Sequence, residues 1–345
     1  MQKNFSGFPG DCSEEQLQVL EKLRNEVKAM GLDLNKYDDQ YLLRFCRARK
    51  FKFDKVLEMW KKFVKWRQEN NVDNINEFEL TELSQIRPFY PHGYFRTDKK
   101  GRPIYIERIG LFKVAELFKI TSQERMVKYY IKSYEKLVNV ILPQCTKASG
   151  HRVDQTVTIL DLKGASFKMF SGQVIDFVKL ASSIGQDYYP EIMGQMFIVN
   201  APMLFSGAWA VIKQFLDEKT RQKIKIIGSS YQKELLECID AGNLPDFLGG
   251  KVPESEYGKY LENEQGPWVG LDEQTYEGNE EAKNDDEDQA QDINDLKKAL
   301  AGMNFGGVGG EKKKKKNPYD DDDDNDVADM GGQKFYVNDT PLNTQ

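Results

Sequence analysis

Residues 192–212 read IMGQMFIVNAPMLFSGAWAVI, 21 positions between Glu191 and Lys213 without one charge. How this stretch folds decides the architecture. It is long enough to cross a bilayer as a single helix. Its interior argues against that. Met196-Phe197-Ile198-Val199 has strand character, and Asn200-Ala201-Pro202 is a break. Phe205, Trp209, Ile212 and Leu216 then recur at helical spacing. The expectation is a buried strand, a turn and an apolar helix over residues 203–216, with no membrane span.

The flanks continue the same alternation. Residues 156–162, TVTILDL, are rich in β-branched side chains and predict a buried strand. Residues 171–184 predict a helix, and residues 224–227 a further strand. Residues 93–97 and 102–108, joined by Asp98-Lys99-Lys100-Gly101, predict a hairpin. Thr121-x-x-Glu124 reads as a capping box, opening a helix that runs to Leu142 and is ended by Pro143. Strands alternating with helices predict an α/β domain with a mostly parallel sheet over residues 76–270.

Residues 1–75 have a different texture. Ser13-Glu14-Glu15-Gln16 is a capping box, Leu20, Leu23, Val27 and Met30 mark one helical face, and Gly31 is a stop. A second helix is predicted over 40–50, started by the capping pair Asp38-Asp39. Asp54 is placed to cap a third, in which Val56, Met59, Trp60, Phe63 and Val64 follow the amphipathic pattern. This is a small helical domain.

The net charge of −6 hides a division. Residues 271–345 hold 20 acidic and 9 basic side chains, and residues 1–270 hold 35 and 40. A mildly basic body suits an anionic surface, membrane or nucleic acid. The tail, with Gly306-Gly307-Val308-Gly309-Gly310, Lys312–Lys316 and Asp320–Asp324, predicts disorder apart from one short helix over 293–303. Cys12, Cys46, Cys145 and Cys238 lack metal or redox spacing and read as thiols of a reducing compartment. The N-terminal MQKNFSGFPGDCSEE has no apolar core of a secretory signal.

Common catalytic chemistry is poorly supplied. The two histidines, His92 and His151, read as loop or turn residues, so a His-based metal site or triad is not expected. No Gly-x-Gly-x-x-Gly follows a strand, and Gly249-Gly250-Lys251-Val252 lacks the spacing of a phosphate loop. The apolar helix over one face of a sheet is read as core by periodicity alone, or as the cover of an oily cavity.

Several segments carry a recognisable pattern in one order. They are Leu42-Leu43-Arg44-Phe45-Cys46-Arg47-Ala48-Arg49-Lys50-Phe51, then Thr158-Ile159-Leu160-Asp161-Leu162-Lys163-Gly164, then Tyr188-Tyr189-Pro190-Glu191. Phe197-Ile198-Val199-Asn200-Ala201-Pro202, Ile227-Gly228-Ser229-Ser230 and Leu244-Pro245-x-Phe247-Leu248-Gly249-Gly250 follow. Over about residues 30–270 the chain resembles the CRAL-TRIO lipid-binding family, and within it the phosphatidylinositol/phosphatidylcholine transfer proteins of the secretory pathway. The resemblance implies a helical N-terminal domain on an α/β domain with an acyl-chain pocket gated by a mobile helix. Phe197, Phe205, Trp209, Ile212, Phe215 and Leu216 then correspond to pocket floor and gate.

The resemblance also assigns head-group residues. Arg49, Lys50, Glu191, Thr220 and Lys223 match the phosphatidylinositol set: cations and a hydroxyl for the phosphodiester, a carboxylate for inositol hydroxyls. Tyr94, Tyr105 and Tyr134 match tyrosines that hold a quaternary ammonium on their faces, with Thr156, Thr158 and Met193 beside the choline phosphate. The pattern departs at Ile192, where a basic residue is common. The implied protein is not an enzyme and has no cofactor or metal, only bound phospholipid. It is a monomer that visits Golgi or endosomal membranes from the cytoplasm, presents phosphatidylinositol to lipid kinases and binds no nucleic acid. Alternatives on the same fold are a tocopherol or retinoid carrier and a lipid-regulated signalling module.

Overall fold

The structure, a computed structural model, describes residues 5–166, 172–203 and 205–270. The acidic tail, with its lysine and aspartate runs and the helix expected over 293–303, lies outside the described residues. Three helices open the chain: α1 (Glu14–Ala29), α2 (Asp39–Ala48) and α3 (Phe53–Glu69). Ser13 and Gln16 close a reciprocal capping box on α1, and Asp38 Oδ1 accepts the Tyr41 N–H at the start of α2. Asp54 does not cap α3. It lies inside the first turn, and the cap residue Lys52 makes no side-chain cap bond. A short α4 (Leu83–Ile86) leads to the hairpin of β1 (His92–Thr97) and β2 (Pro103–Glu107). Then come α5 (Val114–Ile120), α6 (Gln123–Lys136), α7 (Leu142–Ser149), β3 (Thr156–Asp161) and α8 (Gly172–Tyr188). After β4 (Met193–Val199) follow α9 (Phe205–Ile212), α10 (Glu218–Gln222), β5 (Ile224–Ile226), α11 (Gln232–Cys238) and α12 (Glu254–Tyr257).

The charge-free run is thus a strand, a turn and a helix. Among the described residues, no helix is long and apolar enough to cross a membrane. The five strands lie in the order β1-β2-β3-β4-β5, with β1 antiparallel to β2 and the rest parallel.

Two expectations around α6 are corrected. The cap is Ser122, whose hydroxyl accepts the Arg125 N–H, while Thr121 donates to Glu82. Pro143 does not end the helix. Leu137–Ile141 form a π turn, in which the Leu142 N–H reaches back to the Leu137 carbonyl. The wider turn restarts the helix, so Pro143 falls in the first turn of α7, where a missing N–H costs little.

Two apolar layers enclose the sheet. On one face Ile104, Ile106, Val157, Ile159, Phe197 and Val199 pack against Leu235 of α11. On the other, α6 and α8 meet the N-terminal helices around Leu42, Phe45, Trp60 and Phe63. The alternation of β2 and β3 therefore sends Tyr105, Glu107, Thr156 and Thr158 to the α6/α8 side.

Candidate head-group site

The charged residues gather where chain elements end. Glu191 sits between α8 and β4 with a left-handed backbone, φ 61°, uncommon for a non-glycine residue. Gln155 steadies it by donating Nε2–H to its carbonyl at 3.2 Å. Its carboxylate faces two cations, Lys223 Nζ at 3.3 Å and Lys219 Nζ at 3.7 Å. Lys223 caps α10, and its carbonyl accepts the Met196 N–H at 2.9 Å, which ties the lysine to β4. Thr220 donates its hydroxyl to Asp217 Oδ2 at 2.6 Å, and Asp217 Oδ1 accepts the Thr220 N–H. The structure thus brings Lys223 directly onto Glu191 and holds Thr220 one turn away.

Arg49 and Lys50 lie beyond the helical residues of α2, not within them. Arg49 is the C-cap, with Nη2 4.0 Å from Asp187 of α8, and Lys50 has φ 49°. Two neighbours carry no sequence signal for this role. Lys219 donates to the Arg47 carbonyl at 3.0 Å, so Arg47 and Lys219 join α2 to the Glu191 cluster.

The aromatic residues lie inside regular elements. Tyr94 and Tyr105 are cross-strand partners with ring centroids 4.9 Å apart, and Tyr105 pairs with Thr158 in β3. Thr156 pairs with Met193. Tyr134 of α6 stacks on Tyr189 at 4.5 Å and 10°. All three tyrosine hydroxyls are pushed above their ordinary pKa by burial. The cluster also holds an acid. Glu107 Oε1 accepts hydrogen bonds from Tyr90 at 2.6 Å and Tyr105 at 2.8 Å. Burial raises the Glu107 carboxyl, against those two hydrogen bonds, which lower it. His92 is not a loop residue: it is buried on β1, between the Tyr90 carbonyl at 2.7 Å and the Tyr129 hydroxyl at 3.0 Å. Burial lowers its pKa to about 4. Tyr90, His92, Tyr105 and Tyr129 line a small cavity with Ser133 and Phe177.

Beneath both groups runs a buried ion pair. Arg67 of α3 donates to both Glu135 oxygens, at 2.8 and 3.1 Å, and Tyr189 donates to Glu135 Oε1 at 2.6 Å. Arg67 also reaches Asp73 at 2.5 Å. Glu135 therefore fixes Tyr189, whose ring supports Tyr134 and whose chain continues through Pro190 to Glu191.

The gate residues divide. Phe205 is buried and, with Trp209 and Ile212, packs on Leu162, Ile198 and Met196. Phe215 is exposed, with the Lys179 amine 4.8 Å above its ring, and Leu216 is buried. Phe197 is corrected: strand alternation turns it to the α11 face, so the floor under α9 is Met196 and Ile198. Both ends of the α9 segment are tied. Asn200, with φ 53°, donates to Asp161 Oδ1 at 2.7 Å. Gln186 of α8 donates to the Phe215 carbonyl at 2.9 Å and accepts the Asp217 N–H at 2.8 Å. Ile192, the departure in the pattern, is buried in the core of the helical layer.

An ionic cluster, an aromatic cluster and an apolar helix over one sheet define a binding fold for an amphipathic molecule. The comparisons name the family. The sequence model of the CRAL/TRIO domain matches residues 85–250, and that of the CRAL/TRIO N-terminal domain matches residues 12–62. The SEC14 cytosolic factor of Kluyveromyces lactis is 44% identical over 249 residues, 72% of this chain and 82% of that one. The phosphatidylinositol/phosphatidylcholine transfer protein SFH12 of Arabidopsis thaliana is 39% identical over 238 residues, 68% of this chain and 44% of that one. The crystal structure of Sfh5 shares the fold, with a TM-score of 0.55 and 22% identity over 69% of this chain and 88% of that one. This chain belongs to the CRAL/TRIO domain family.

Proposed function

We propose that the protein takes up one phospholipid at a time, phosphatidylinositol or phosphatidylcholine, and exchanges it between membranes. One observation carries the reading: a single segment serves both clusters. Tyr189 stacks on Tyr134, Glu191 pairs with Lys223, and Met193 pairs with Thr156. A carrier that accepts either head group needs two polar sites over one acyl-chain path. The names of the relatives support the same two lipids.

Inositol hydroxyls bind Glu191, the phosphodiester binds Lys223, Arg49, Lys50 and Thr220, and choline lies among Tyr94, Tyr105 and Tyr134. The acyl chains lie under α9 and supply affinity by burial, about 0.8 kcal/mol per methylene. Met203, 94% exposed, with Val211 and Phe215, gives the gate an apolar outer edge for a bilayer surface. The protein acts as a monomer without chemistry on the lipid and needs no cofactor. It works from the cytosol on Golgi- or endosome-type membranes and offers phosphatidylinositol to lipid kinases. Transfer of each labelled lipid between donor and acceptor vesicles tests the reading. Transfer of both is expected; transfer of neither by the folded protein would overturn it.

A further inference from the structure

The segment before α1 is built against the end of α2. Residues 6–12 form a tight loop: the Gly7 N–H donates to the Asp11 carbonyl at 3.0 Å, and the Asp11 N–H to the Phe8 carbonyl at 2.9 Å. The Ser6 hydroxyl donates to Asp11 Oδ2 at 2.7 Å, and the Cys12 thiol to the Phe8 carbonyl at 3.3 Å. This strap grips α2 at two places. Arg47 donates Nη1–H to the Gly7 carbonyl at 3.1 Å, and its guanidinium lies 3.9 Å from the centroid of the Phe8 ring. Gly7, at φ +75°, presses on Phe51 so closely that a Cβ there would stand 2.7 Å from two ring carbons.

What the strap grips is a strained turn. Lys50 and Phe51 have φ of 49° and 57°, two successive non-glycine residues in the left-handed region. Side chains disfavour that conformation, so it persists only where surrounding contacts hold it. Backbone bonds close the turn, with the Phe51 N–H on the Cys46 carbonyl at 2.8 Å and the Lys52 N–H on the Arg49 carbonyl at 2.9 Å. Gly7 abuts the Phe51 ring from outside, and Phe8 holds Arg47, three residues before the turn. Arg47 is only 3% exposed, and its Nε and Nη2 have no hydrogen-bonding partner among the described residues. A buried cation so placed gains from an aromatic face. Its carbonyl accepts from Lys219, which reaches Glu191, so Arg47 stands between the strap and the head-group cluster.

We propose that the strap of residues 6–12 is a positioning element for the head-group cations, acting through Arg47 and Phe51 to hold Arg49 and Lys50 where they meet the lipid phosphodiester. The proposal rests on the phosphatidylinositol reading of the preceding section. The strap's grip falls on Arg47 and Phe51, beside the cations assigned to phosphatidylinositol, so it bears on that lipid more than on phosphatidylcholine.

The test measures loading of phosphatidylinositol and of phosphatidylcholine, presented separately in vesicles, by the full chain and by its variants. Phe8→Ala should lower phosphatidylinositol loading by about fivefold and leave phosphatidylcholine loading within about twofold. Phe8→Tyr, which restores the aromatic face, should recover it. Gly7→Ala, which collides with Phe51, should act like Phe8→Ala. Phe8→Leu, which keeps volume without the face, takes the place of Phe8→Ala if that variant does not fold. Lys50→Ala should lower phosphatidylinositol loading in the intact chain and add little on top of Phe8→Ala, because the two act through one turn. Equal loss of both lipids, or unchanged phosphatidylinositol loading in folded strap variants, would overturn the strap's role. If Arg49→Ala with Lys50→Ala leaves phosphatidylinositol loading intact while the strap is whole, the head-group assignment itself fails.

Discussion

The two polar clusters are made of different material. The ionic one is assembled from the ends of elements: the cap of α2, the turn before β4 and the five-residue α10. The aromatic one has its three choline-side tyrosines within regular elements, Tyr94 on β1, Tyr105 on β2 and Tyr134 on α6. A site built at chain ends depends on caps and left-handed turns, and its charges already satisfy one another. Glu191 is paired with Lys219 and Lys223, so under the proposed reading an inositol head group would have to compete for it. A site built on strands is held by the sheet and is largely formed before any ligand enters. Ionic selectivity should therefore respond to single charges and distant supports, and aromatic selectivity chiefly to loss of a ring.

Four changes break or sharpen this contrast. The largest is Arg67→Ala, which leaves Glu135, the anchor of Tyr189, buried without its cation. Removing one member of a buried pair costs about 3–5 kcal/mol. Denaturant unfolding should report that loss, and both lipids should load poorly. If only one lipid were affected, Tyr189 would not be a shared support. Next, Glu191→Ala with Lys223→Ala should cut phosphatidylinositol loading by about tenfold or more, with phosphatidylcholine near its original level. Parallel loss of both in a folded protein would merge the two clusters into one.

Tyr94→Leu makes the opposite cut. Losing one aromatic face should lower phosphatidylcholine loading by about threefold to tenfold, with phosphatidylinositol unchanged. The converse preference would exchange the assignments. The smallest effect concerns pH. Burial holds the Glu107 carboxyl above its ordinary value near 4.5, so the fold keeps a proton that the unfolded chain has released. The Glu107 contribution to stability then falls as pH rises from about 4.5 toward the folded value. Buried His92, lowered to about 4, contributes a rise over overlapping pH, so the Glu107 part is read as a difference from a variant. Glu107→Gln keeps an acceptor for Tyr90 and Tyr105 and has no proton to lose. Across that window the parent's unfolding free energy should fall relative to the variant's, and parallel pH profiles would remove Glu107 as the cause.

Local rules made much of this readable. The capping box at Ser13, the hairpin around Asp98-Lys99-Lys100-Gly101 and the break at Asn200 need only neighbouring residues to be recognised. Glu107 is legible as well, because alternation along β2 sets it on the same face as Tyr105. The same alternation turns Phe197 toward α11, away from the face that α9 covers. Pro143 and the π turn were not legible, since the widened turn depends on packing across α6 and α7. Arg67 and Glu135 are far apart in the chain and carry no motif, and the pattern Tyr188-Tyr189-Pro190-Glu191 does not say what the Tyr189 hydroxyl meets. Their association is a property of the layers, as is the grip of Phe8 on Arg47.

The strands stand side by side in the order in which a ribosome makes them. Every new strand has only to join the edge left by the one before it, and no strand has to be inserted between two older ones. When β4 and its charge-free continuation emerge, the rim of β3 is already available to receive them. The segment that most resembles a membrane span therefore has a partner waiting from the moment it is synthesised, and its time as an exposed, sticky edge is short.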